Sequence, residues 1–326
     1  MRRPMAILTV PRDDELDALL SAYDLGPRRG ARGIEAGTVN TSYALELGAG
    51  RYFLRLYEEQ DAAGAAAEAR LLQHLAASGV RTPAPVVARD GAMVRLVAGK
   101  PAALFPWVAG DMLCLRAVTP EAAREVGAAI ASVHLAGPAP DGPLGAGRFG
   151  PAELILRCDR VAVCQDAEAK LLAAPLRRQL GAAAAARTVD LPSGLVHGDL
   201  FRDNVLWDDT ASSSSPRIAA LLDFESAHRG PFAYDLAVTI LSWSFRDTFD
   251  HAIGRAIVAG YREVRELSAI EKGALHAEAV FAALRFSVTR ITDDAIRVGK
   301  KWQRFVARRE ALEQLGSAGL QEALGL

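Results

Sequence analysis

The spacing of apolar residues changes near residue 110, and this change constrains the fold more than any other feature of the sequence. Before it, two short runs, Ser42–Leu47 and Arg51–Tyr57, alternate apolar and polar residues as half-buried strands do. Glycines at 48 and 50 favour a tight turn between them, so the runs predict a β-hairpin. After residue 110, apolar residues recur every three or four positions, which is typical of helices. We therefore predict an α+β protein, with a small antiparallel sheet followed by a larger, mainly helical part.

Individual segments fill in this outline. A first helix is expected from Pro11, because an early proline and the acids that follow it suit a first helical turn. Further elements of the first part are a helix at 62–77 and strands at 86–88, 94–96 and 102–108. In the second part we expect helices at 120–135, 165–186, 231–245, 249–265, 268–289 and 295–314, and a hairpin tip at Ser212–Ser215. The join lies near Gly110, which predicts domains at 1–109 and 110–326.

Composition excludes several classes of protein. The 326 residues carry a net charge of -1, so no basic field points to nucleic acid or to an anionic membrane. No segment approaches the roughly 20 apolar residues that span a bilayer. The three cysteines are an odd number without metal-ligand spacing, which fits a reducing compartment. We expect a cytoplasmic protein, monomeric or homodimeric, without a nucleic-acid or membrane partner.

One segment, Leu195–Asp208, concentrates polar side chains between apolar ends in the sequence LVHGDLFRDNVLWD. Buried polar groups need hydrogen bonds or a bound ion, because bare burial is costly. A second apolar strand follows and ends at Asp223, so Asp199, Asn204 and Asp223 can converge at neighbouring strand ends. The oxygens of Asn204 and Asp223 suit a hard cation such as Mg²⁺, which takes phosphate oxygens as further ligands. Asp199 then remains to orient a hydroxyl or to take its proton.

The spacing of these residues resembles the catalytic loop of kinases. Asn204 follows Asp199 five positions later, and Asp223 with the next phenylalanine stands where kinases carry their metal-binding aspartate. The form His-Gly-Asp-Leu, with Asp-Phe-Glu downstream, is similar to the aminoglycoside phosphotransferase and choline kinase superfamily. The segments ASVHLAG, with His134, and GPFAYDLAV, with Asp235, extend the likeness.

This resemblance implies a fold, cofactors and roles. The fold is a protein-kinase-like two-lobe fold, with residues 1–109 as the nucleotide-binding lobe and 110–326 as the catalytic and substrate lobe. The implied cofactors are ATP and Mg²⁺, and the acceptor is a small molecule. Asp199 orients its hydroxyl for a direct in-line transfer. His197 is expected to hold the loop through a hydrogen bond to the backbone or to the metal-binding aspartate.

ATP needs contacts from the first lobe. The phosphate candidates lie in the hairpin segment AGTVNTSYAL, where backbone N–H groups and hydroxyls can reach phosphate: Gly37, Thr38, Asn40, Thr41 and Ser42. Arg55 stands at the strand position where kinases place a lysine, and Glu68 is its expected partner. Adenine is expected at the lobe join, against backbone groups of Phe105 and Trp107.

Longer stretches resemble a narrower family, the bacterial homoserine kinases of the aminoglycoside-phosphotransferase-like type. They include GIEAGTVNTSY, GRYFLRLYEE, AGKPAALFPWVAG and AALRFSVTRITD, and the likeness covers nearly the whole chain. It implies phosphorylation of the side-chain hydroxyl of L-homoserine with MgATP, which gives O-phosphohomoserine for threonine synthesis.

Homoserine is a zwitterion, so its site needs one anchor for a carboxylate and one for an ammonium group. Arginine is suited to the first because it binds carboxylate with two parallel hydrogen bonds. The candidates for the carboxylate are Arg202, His228, Arg229 and Arg290. The candidates for the ammonium group are Asp203, Glu225 and Asp235.

Three alternatives stay open at this point. The same chemistry can serve another small hydroxyl compound, such as an aminoglycoside, choline or a methylthio-sugar. The chain can also be a catalytically dead nucleotide-binding module. Finally, His197, Asp199 and Asp203 can form a metal-hydrolase cluster, although that cluster needs further histidine ligands.

Overall fold

The computed structural model describes residues 7–35, 39–139, 142, 145–208, 215–293 and 302–326 of the chain. The chain divides into two compact units. The first comprises the described part of Met1–Ala109 and Ala139–Gly142, and the second comprises the described part of Gly110–Pro138 and Pro143–Leu326. Strands dominate the first unit and helices dominate the second.

Within the described residues, the first unit is an antiparallel sheet of five strands with two helices. Its elements are α1 (Asp13–Leu20), β1 (Arg28–Gly33), β2 (Thr41–Leu47), β3 (Gly50–Leu56), α2 (Ala62–Ala77), β4 (Val94–Val97) and β5 (Lys100–Pro106). The strand order is β1-β2-β3-β5-β4. The predicted hairpin is confirmed, since β2 and β3 pair from Thr41 with Leu56 to Leu47 with Gly50.

Two features of this sheet differ from the sequence prediction. The sequence does not predict β1, because its residues RRGARG contain no alternating large apolar side chains. Residues 86–88, expected as a strand, do not form one. The Val86 N–H donates to the Leu104 carbonyl at 2.7 Å, but the Ala88 N–H turns back to the Ala92 carbonyl at 2.8 Å, so no ladder continues.

The second unit is mainly helical and contains two short antiparallel ladders. Its elements are α3 (Pro120–Ala136), α4 (Pro151–Ala162), α5 (Ala167–Lys170), α6 (Ala173–Ala186), β6 (Ser193–Val196), β7 (Val205–Trp207), β8 (Ile218–Leu221), β9 (His228–Pro231), α7 (Phe232–Trp243), α8 (His251–Val264), α9 (Ala269–Thr292) and α10 (Gln303–Leu324). Strand β6 pairs with β9, and β7 pairs with β8. The predicted α+β class is confirmed.

Helix boundaries in this unit differ from the prediction in three places. Residues 165–186 form two helices, α5 and α6, rather than one, and α4 lies in a stretch without a predicted helix. The last helix continues to Leu324, ten residues beyond its predicted end, while its predicted start lies outside the described residues. The strands of the second predicted hairpin, β7 and β8, are present, but most of its expected tip lies outside the described residues.

Helix α7 is mostly apolar, and all of its residues from Ala233 to Trp243 are buried. It has 12 residues, whereas roughly 20 are needed to cross a bilayer. No helix within the described ranges is long and apolar enough to span a membrane. The apolar surface of α7 is therefore explained by packing inside the second unit.

Helices α3 and α8 approach each other through two glycines, Gly127 and Gly260. A Cβ atom at Gly127 would overlap the backbone carbonyl of Ile257, and one at Gly260 would overlap the carbonyl of Arg124. Backbone atoms cannot move aside as a flexible side chain can, so the close approach requires both glycines. The contact matters for the site because His134, on α3, and Tyr261, on α8, are hydrogen-bonded there.

We predict that Gly127→Ala lowers the free energy of unfolding by about 1–3 kcal/mol, the usual cost of overpacking. Denaturant unfolding followed by circular dichroism measures it. The matched control is Gly181→Ala in the middle of α6, where no atom would meet the added Cβ. That change should raise stability by up to about 1 kcal/mol, because alanine is the better helix former. Equal stability of Gly127→Ala and the unmodified protein would contradict the close packing.

Candidate active site

The loop between β6 and β7 contains the polar segment, and its backbone turns at Gly198. This residue has a φ of 75°, and a Cβ there would lie 2.8 Å from the carbonyl oxygen of Ser226. Glycine alone tolerates both the left-handed backbone and the close approach. Asp199 follows directly, and a short 3-10 turn, Arg202–Asn204, leads into β7.

A buried carboxylate on α7, that of Asp235, holds this turn. Its two oxygens accept the backbone N–H groups of His197 and Gly198, each at 2.7 Å. His134 Nε2 donates to the same carboxylate at 3.1 Å. Burial alone would raise the pKa of Asp235, but the hydrogen bonds from His134 and the Gly198 amide outweigh it and lower the pKa below its ordinary value. Asp235 is therefore an ionised brace of the loop.

This arrangement corrects one prediction. Asp235 was a candidate for the ammonium group of the acceptor, but its side chain is 0% exposed and both oxygens are used inside the fold. The network continues outward, since the Tyr261 hydroxyl donates to His134 Nδ1 at 2.8 Å and accepts from Arg265 at 3.0 Å. These bonds fix the orientation of the His134 ring.

His197 joins the loop to the strand that precedes Asp223. Its Nε2 donates to the Leu222 carbonyl at 3.0 Å, and its Nδ1 accepts the Asp199 N–H at 3.3 Å. Both ring nitrogens are thus occupied by hydrogen bonds to the backbone. The predicted hydrogen bond from His197 to the backbone is confirmed.

The structure brings Asn204 and Asp223 to adjacent ends of β7 and β8. The Leu222 N–H donates to the Asn204 carbonyl at 2.8 Å, and Asn204 Nδ2 donates to the Asp199 carbonyl at 2.8 Å. The Asn204 side-chain oxygen therefore faces away from this bond. Asp223 takes up a left-handed backbone conformation, with φ 64° and ψ 64°, which is uncommon outside glycine.

The donor set of these two residues fits a hard cation. An amide oxygen and a carboxylate are the ligands that Mg²⁺ takes from proteins, together with waters and phosphate oxygens. Both side chains are partly exposed, so a nucleotide-bound ion can reach them. Asn204 and Asp223 are thus the residues of this loop pair that would hold Mg²⁺.

Asp199 lies between charges of both signs. Burial raises the pKa of its carboxyl above the ordinary value, and the charge of Asp223 adds to the rise, while Arg285 and Arg290 oppose it. The side chain is still 27% exposed, so water moderates the shift. A carboxylate with a raised pKa is a better proton acceptor than an ordinary one.

Arg285, on α9, is a site residue that the sequence prediction misses. Its Nη2 lies 3.7 Å from Asp199 Oδ1, and its Nη1 donates to the Gly198 carbonyl and, at 3.2 Å, to the Tyr234 hydroxyl. The side chain is only 4% exposed and packs between the rings of Phe149 and Phe286. The available signal was a lone arginine in the apolar stretch AALRFSV, since an ion in such a stretch needs a specific partner.

The metal-hydrolase alternative finds no support in this geometry. Across the described ranges, no group of three or more His, Cys, Asp or Glu side chains is placed to hold a metal ion. His197 uses both ring nitrogens for hydrogen bonds within the loop.

The candidate acceptor residues surround this loop. Arg202 is part of the 3-10 turn, and burial lowers its pKa. Asp203 follows it and is exposed. Glu225 lies 4.0 Å from Arg148. His228 donates from Nδ1 to the Ser226 carbonyl at 2.8 Å, beside the exposed Arg229 on β9. Their roles toward an acceptor stay predictions.

In the first unit, the predicted ion pair between Arg55 and Glu68 is confirmed, with Arg55 Nη1 3.1 Å from Glu68 Oε1. Glu68 also accepts from Gln60 at 3.1 Å, so the carboxylate is held from two sides. Ser42 faces Arg55 across the β2–β3 ladder. Contact of these residues with phosphate stays a prediction.

The phosphate prediction for Thr41 is wrong. Its hydroxyl is 0% exposed, donates to Glu58 at 2.6 Å and accepts the backbone N–H groups of Leu8 and Thr9. It therefore ties the N-terminal segment to β2. The Asn40 side-chain oxygen accepts from the Glu58 N–H at 3.2 Å. Gly37 and Thr38 lie outside the described residues.

The adenine candidates are partly occupied as well. The Trp107 N–H donates to the Arg51 carbonyl at 3.2 Å, so only the Trp107 carbonyl is available to a purine. The Arg51 guanidinium stacks on the Trp107 ring at 3.6 Å. Phe105 is buried within β5, opposite Phe53 of β3. Binding of adenine here stays a prediction.

A braced loop with an aspartate, an asparagine five positions later and a second aspartate after the next strand is the catalytic arrangement of kinase-like phosphotransferases. A family model described as the phosphotransferase enzyme family matches residues 30–267. The chain belongs to this family.

Proteins with similar sequences and folds agree with this assignment. The chain is 38% identical to the homoserine kinase of Acidiphilium cryptum over 294 residues, and 38% identical to that of Gluconacetobacter diazotrophicus over 299 residues, with 89% of each chain covered. Among solved structures, the aminoglycoside phosphotransferase of Alicyclobacillus acidocaldarius matches with a TM-score of 0.66 at 18% identity, covering 98% of both chains. An amicoumacin kinase in complex with AMP-PNP, Ca²⁺ and its antibiotic matches with a TM-score of 0.68 at 14% identity, covering 95% of this chain and 94% of that one. The predicted kinase-like fold is confirmed.

We predict that Asp235→Asn lowers the free energy of unfolding at pH 7 by about 3 kcal/mol, because the amide NH₂ group faces a backbone N–H in a buried site. A carboxyl whose pKa is lowered on folding stabilises the fold above its unfolded pKa, and this contribution is lost as the pH falls through the folded pKa. The difference between the two proteins should therefore shrink below about pH 4.

Urea unfolding at several pH values measures this difference. The control is Asp159→Asn on α4, because Asp159 is exposed and pairs with Arg177 at the surface. That variant should stay within about 0.5 kcal/mol of the unmodified protein. An Asp235→Asn protein that is equally stable at pH 7 would show that the loop has another support.

Proposed function

We propose that this protein is an ATP-dependent kinase that transfers a phosphoryl group to the side-chain hydroxyl of L-homoserine and forms O-phospho-L-homoserine, an intermediate of threonine biosynthesis. The observation that carries the reaction type is the assembly of Asp199, Asn204 and Asp223 on two neighbouring loops. The choice of homoserine is supported by relatives named homoserine kinase, which align over nearly nine-tenths of both chains.

The chemistry follows from the position of Asp199. The acceptor hydroxyl oxygen attacks the γ-phosphorus of ATP in line with the bond to the β–γ bridging oxygen. That bond breaks, and ADP leaves with its electron pair. Asp199 orients the hydroxyl and accepts its proton late in the transfer, when the oxygen has become acidic. The proton then passes to water through the exposed part of the carboxylate.

Asn204 and Asp223 would hold Mg²⁺, which, when bound, neutralises charge on the phosphate oxygens of the nucleotide. His197 and Asp235 do not touch reacting atoms in this scheme. They fix the backbone on which Asp199 stands, through the hydrogen bonds to Leu222 and to the loop amides.

We assign the nucleotide to the lobe of residues 1–109 and catalysis to residues 110–326. Arg55, held by Glu68, would meet the phosphates, and its planar guanidinium can bridge two phosphate oxygens. Solved relatives with the same fold contain AMP-PNP or ADP, which supports ATP as the donor. Further nucleotide contacts are proposed at Gly37, Thr38, Asn40, Ser42, Phe105 and the Trp107 carbonyl.

Since the reaction consumes ATP, the cytoplasm is the proposed location, and the protein acts as a monomer or homodimer.

The candidates for the acceptor's carboxylate are Arg202, His228 and Arg229, and those for its ammonium group are Asp203 and Glu225. An antibiotic as acceptor is the second candidate, because several solved structures of this fold are antibiotic kinases. Those proteins are 14–18% identical to the chain, whereas the homoserine kinases reach 38%. Homoserine is therefore the better-supported acceptor.

We predict homoserine-dependent release of ADP from MgATP. The purified protein is offered L-homoserine, choline, kanamycin or no acceptor, ADP is measured by a coupled assay, and the product is identified by ³¹P NMR. Turnover with choline or kanamycin and not with homoserine would support the proposed kinase reaction but contradict homoserine as the acceptor.

We further predict that Asp199→Asn lowers kcat for homoserine by about 10²–10⁴-fold, the usual contribution of a general base. Binding of ATP, measured by calorimetry, should be nearly unchanged, because Asp199 faces the hydroxyl and not the nucleotide. Asp159→Asn on the surface of α4 is the matched control and should keep full activity. An Asp199→Asn protein with normal turnover would remove Asp199 from the mechanism.

A further inference from the structure

A cavity of about 200 Å³ lies within the second unit, beside the candidate catalytic loop. The loop at 146–150, strand β9 and helices α7 and α9 contribute to its wall. Arg285 belongs both to this wall and to the surroundings of Asp199, whose Oδ1 lies 3.7 Å from Arg285 Nη2. One guanidinium thus separates the cavity from the proposed base.

The cavity wall is positively charged. Four arginines line it, and none of the described lining residues is an aspartate or glutamate: Arg148, Arg187, Arg229 and Arg285. Arg187 is neutralised, since it makes three hydrogen bonds of 2.7–3.1 Å to Glu278. Arg148 lies 4.0 Å from Glu225. Arg285 is shared with Asp199 at 3.7 Å, so among the described residues the lining arginine without a carboxylate beside it is Arg229.

Arg285 has a buried donor that the fold does not satisfy. Its side chain is 4% exposed, and among the described residues Nε has no hydrogen-bond partner, although Nη1 donates to Gly198 and Tyr234. A buried donor without an acceptor costs about 1–3 kcal/mol. Nε is closed to solvent, but Arg285 lines the cavity, where an acceptor that arrives with a ligand can meet its guanidinium.

The size of the cavity limits that ligand. Sites for drug-sized molecules occupy about 300–1,000 Å³. A volume of about 200 Å³ suits a small amino acid. The arginines of the wall suit a small anion, and a carboxylate can accept two parallel hydrogen bonds from a guanidinium.

We propose that this cavity holds the carboxylate of the acceptor on Arg285 and Arg229, and that it selects α-amino acid alcohols over alcohols without a carboxylate. The inference rests on the proposed function and names the part of the site that sets its substrate class. Arg285 would then lie between the bound carboxylate and the proposed base, since its Nη2 is 3.7 Å from Asp199 Oδ1. Glu225 stands near the cavity through Arg148 and is placed to meet the ammonium group.

Two variants test the carboxylate contact. Arg229→Gln removes one charge from an exposed position, and Arg285→Lys keeps the charge but loses the forked donor geometry. Each should raise KM for L-homoserine at least tenfold and leave KM for ATP unchanged. The matched control is Arg217→Gln, an exposed arginine paired with Asp208 outside the cavity, which should keep both KM values.

A second readout separates substrate recognition from general damage. L-homoserinol carries a hydroxymethyl group in place of the carboxylate, so the unmodified protein should prefer homoserine over homoserinol by a large ratio of kcat/KM. Arg229→Gln should reduce that ratio at least tenfold, because the variant loses the group that detects the carboxylate. A merely structural defect would lower kcat/KM equally for both substrates and leave their ratio unchanged.

The outcomes distinguish this inference from the proposed function. If the unmodified protein phosphorylates another alcohol and not homoserine, the proposed function fails first. If it phosphorylates homoserine, but both variants keep its KM and the ratio over homoserinol, the cavity is not the carboxylate site. Should Arg285→Lys fail to fold by circular dichroism, Arg229→Gln decides alone, since its side chain lies at the surface.

Discussion

The buried carboxylate of Asp235 is the interaction on which the candidate site depends. Each of its oxygens accepts a backbone N–H of the loop, so a side chain on α7 fixes the peptide groups at His197 and Gly198. An ion at this depth is stable only where hydrogen bonds replace its lost water. Asp235 also lies in the first turn of α7, where the helix dipole favours negative charge. The backbone that presents Asp199 is therefore held by a buried carboxylate rather than by apolar packing.

Hydrogen bonds to the backbone connect the loop held by Asp235 to the second aspartate, Asp223. His197 bonds to the Leu222 carbonyl and Asn204 bonds to the Leu222 N–H, so the residue before Asp223 is fixed on both of its polar groups. This fixation explains how Asp223 keeps a left-handed conformation, which costs of order 1–3 kcal/mol where the surroundings do not enforce it. The two metal-ligand candidates thus share one rigid backbone junction.

The sequence predicted the parts of the site that are local in the chain. The spacing of Asp199 and Asn204 and the strand that ends at Asp223 lie within 25 residues, and hydrophobic alternation was sufficient to find the hairpin. It did not predict Arg285, because that arginine meets Gly198 across 87 positions and no local pattern encodes such a contact. The phosphate prediction for Thr41 was wrong for a related reason, because its hydroxyl accepts the backbone N–H groups of Leu8 and Thr9, which are distant in sequence. Polar residue type alone could not tell a phosphate contact from an internal one.

The pairing of arginines decides where positive charge is available to a ligand. Glu278 neutralises Arg187 through hydrogen bonds. Arg285 instead packs against aromatic rings, donates to the Gly198 carbonyl and lies 3.7 Å from the Asp199 carboxylate. A carboxylate that bound Arg285 from the cavity would compete with Asp199 for the same guanidinium. The pull of Arg285, which lowers the pKa of Asp199, would then weaken, and Asp199 would bind a proton more tightly. In the proposed reaction the correct acceptor would in this way strengthen the base that acts on it, while an alcohol without a carboxylate would not.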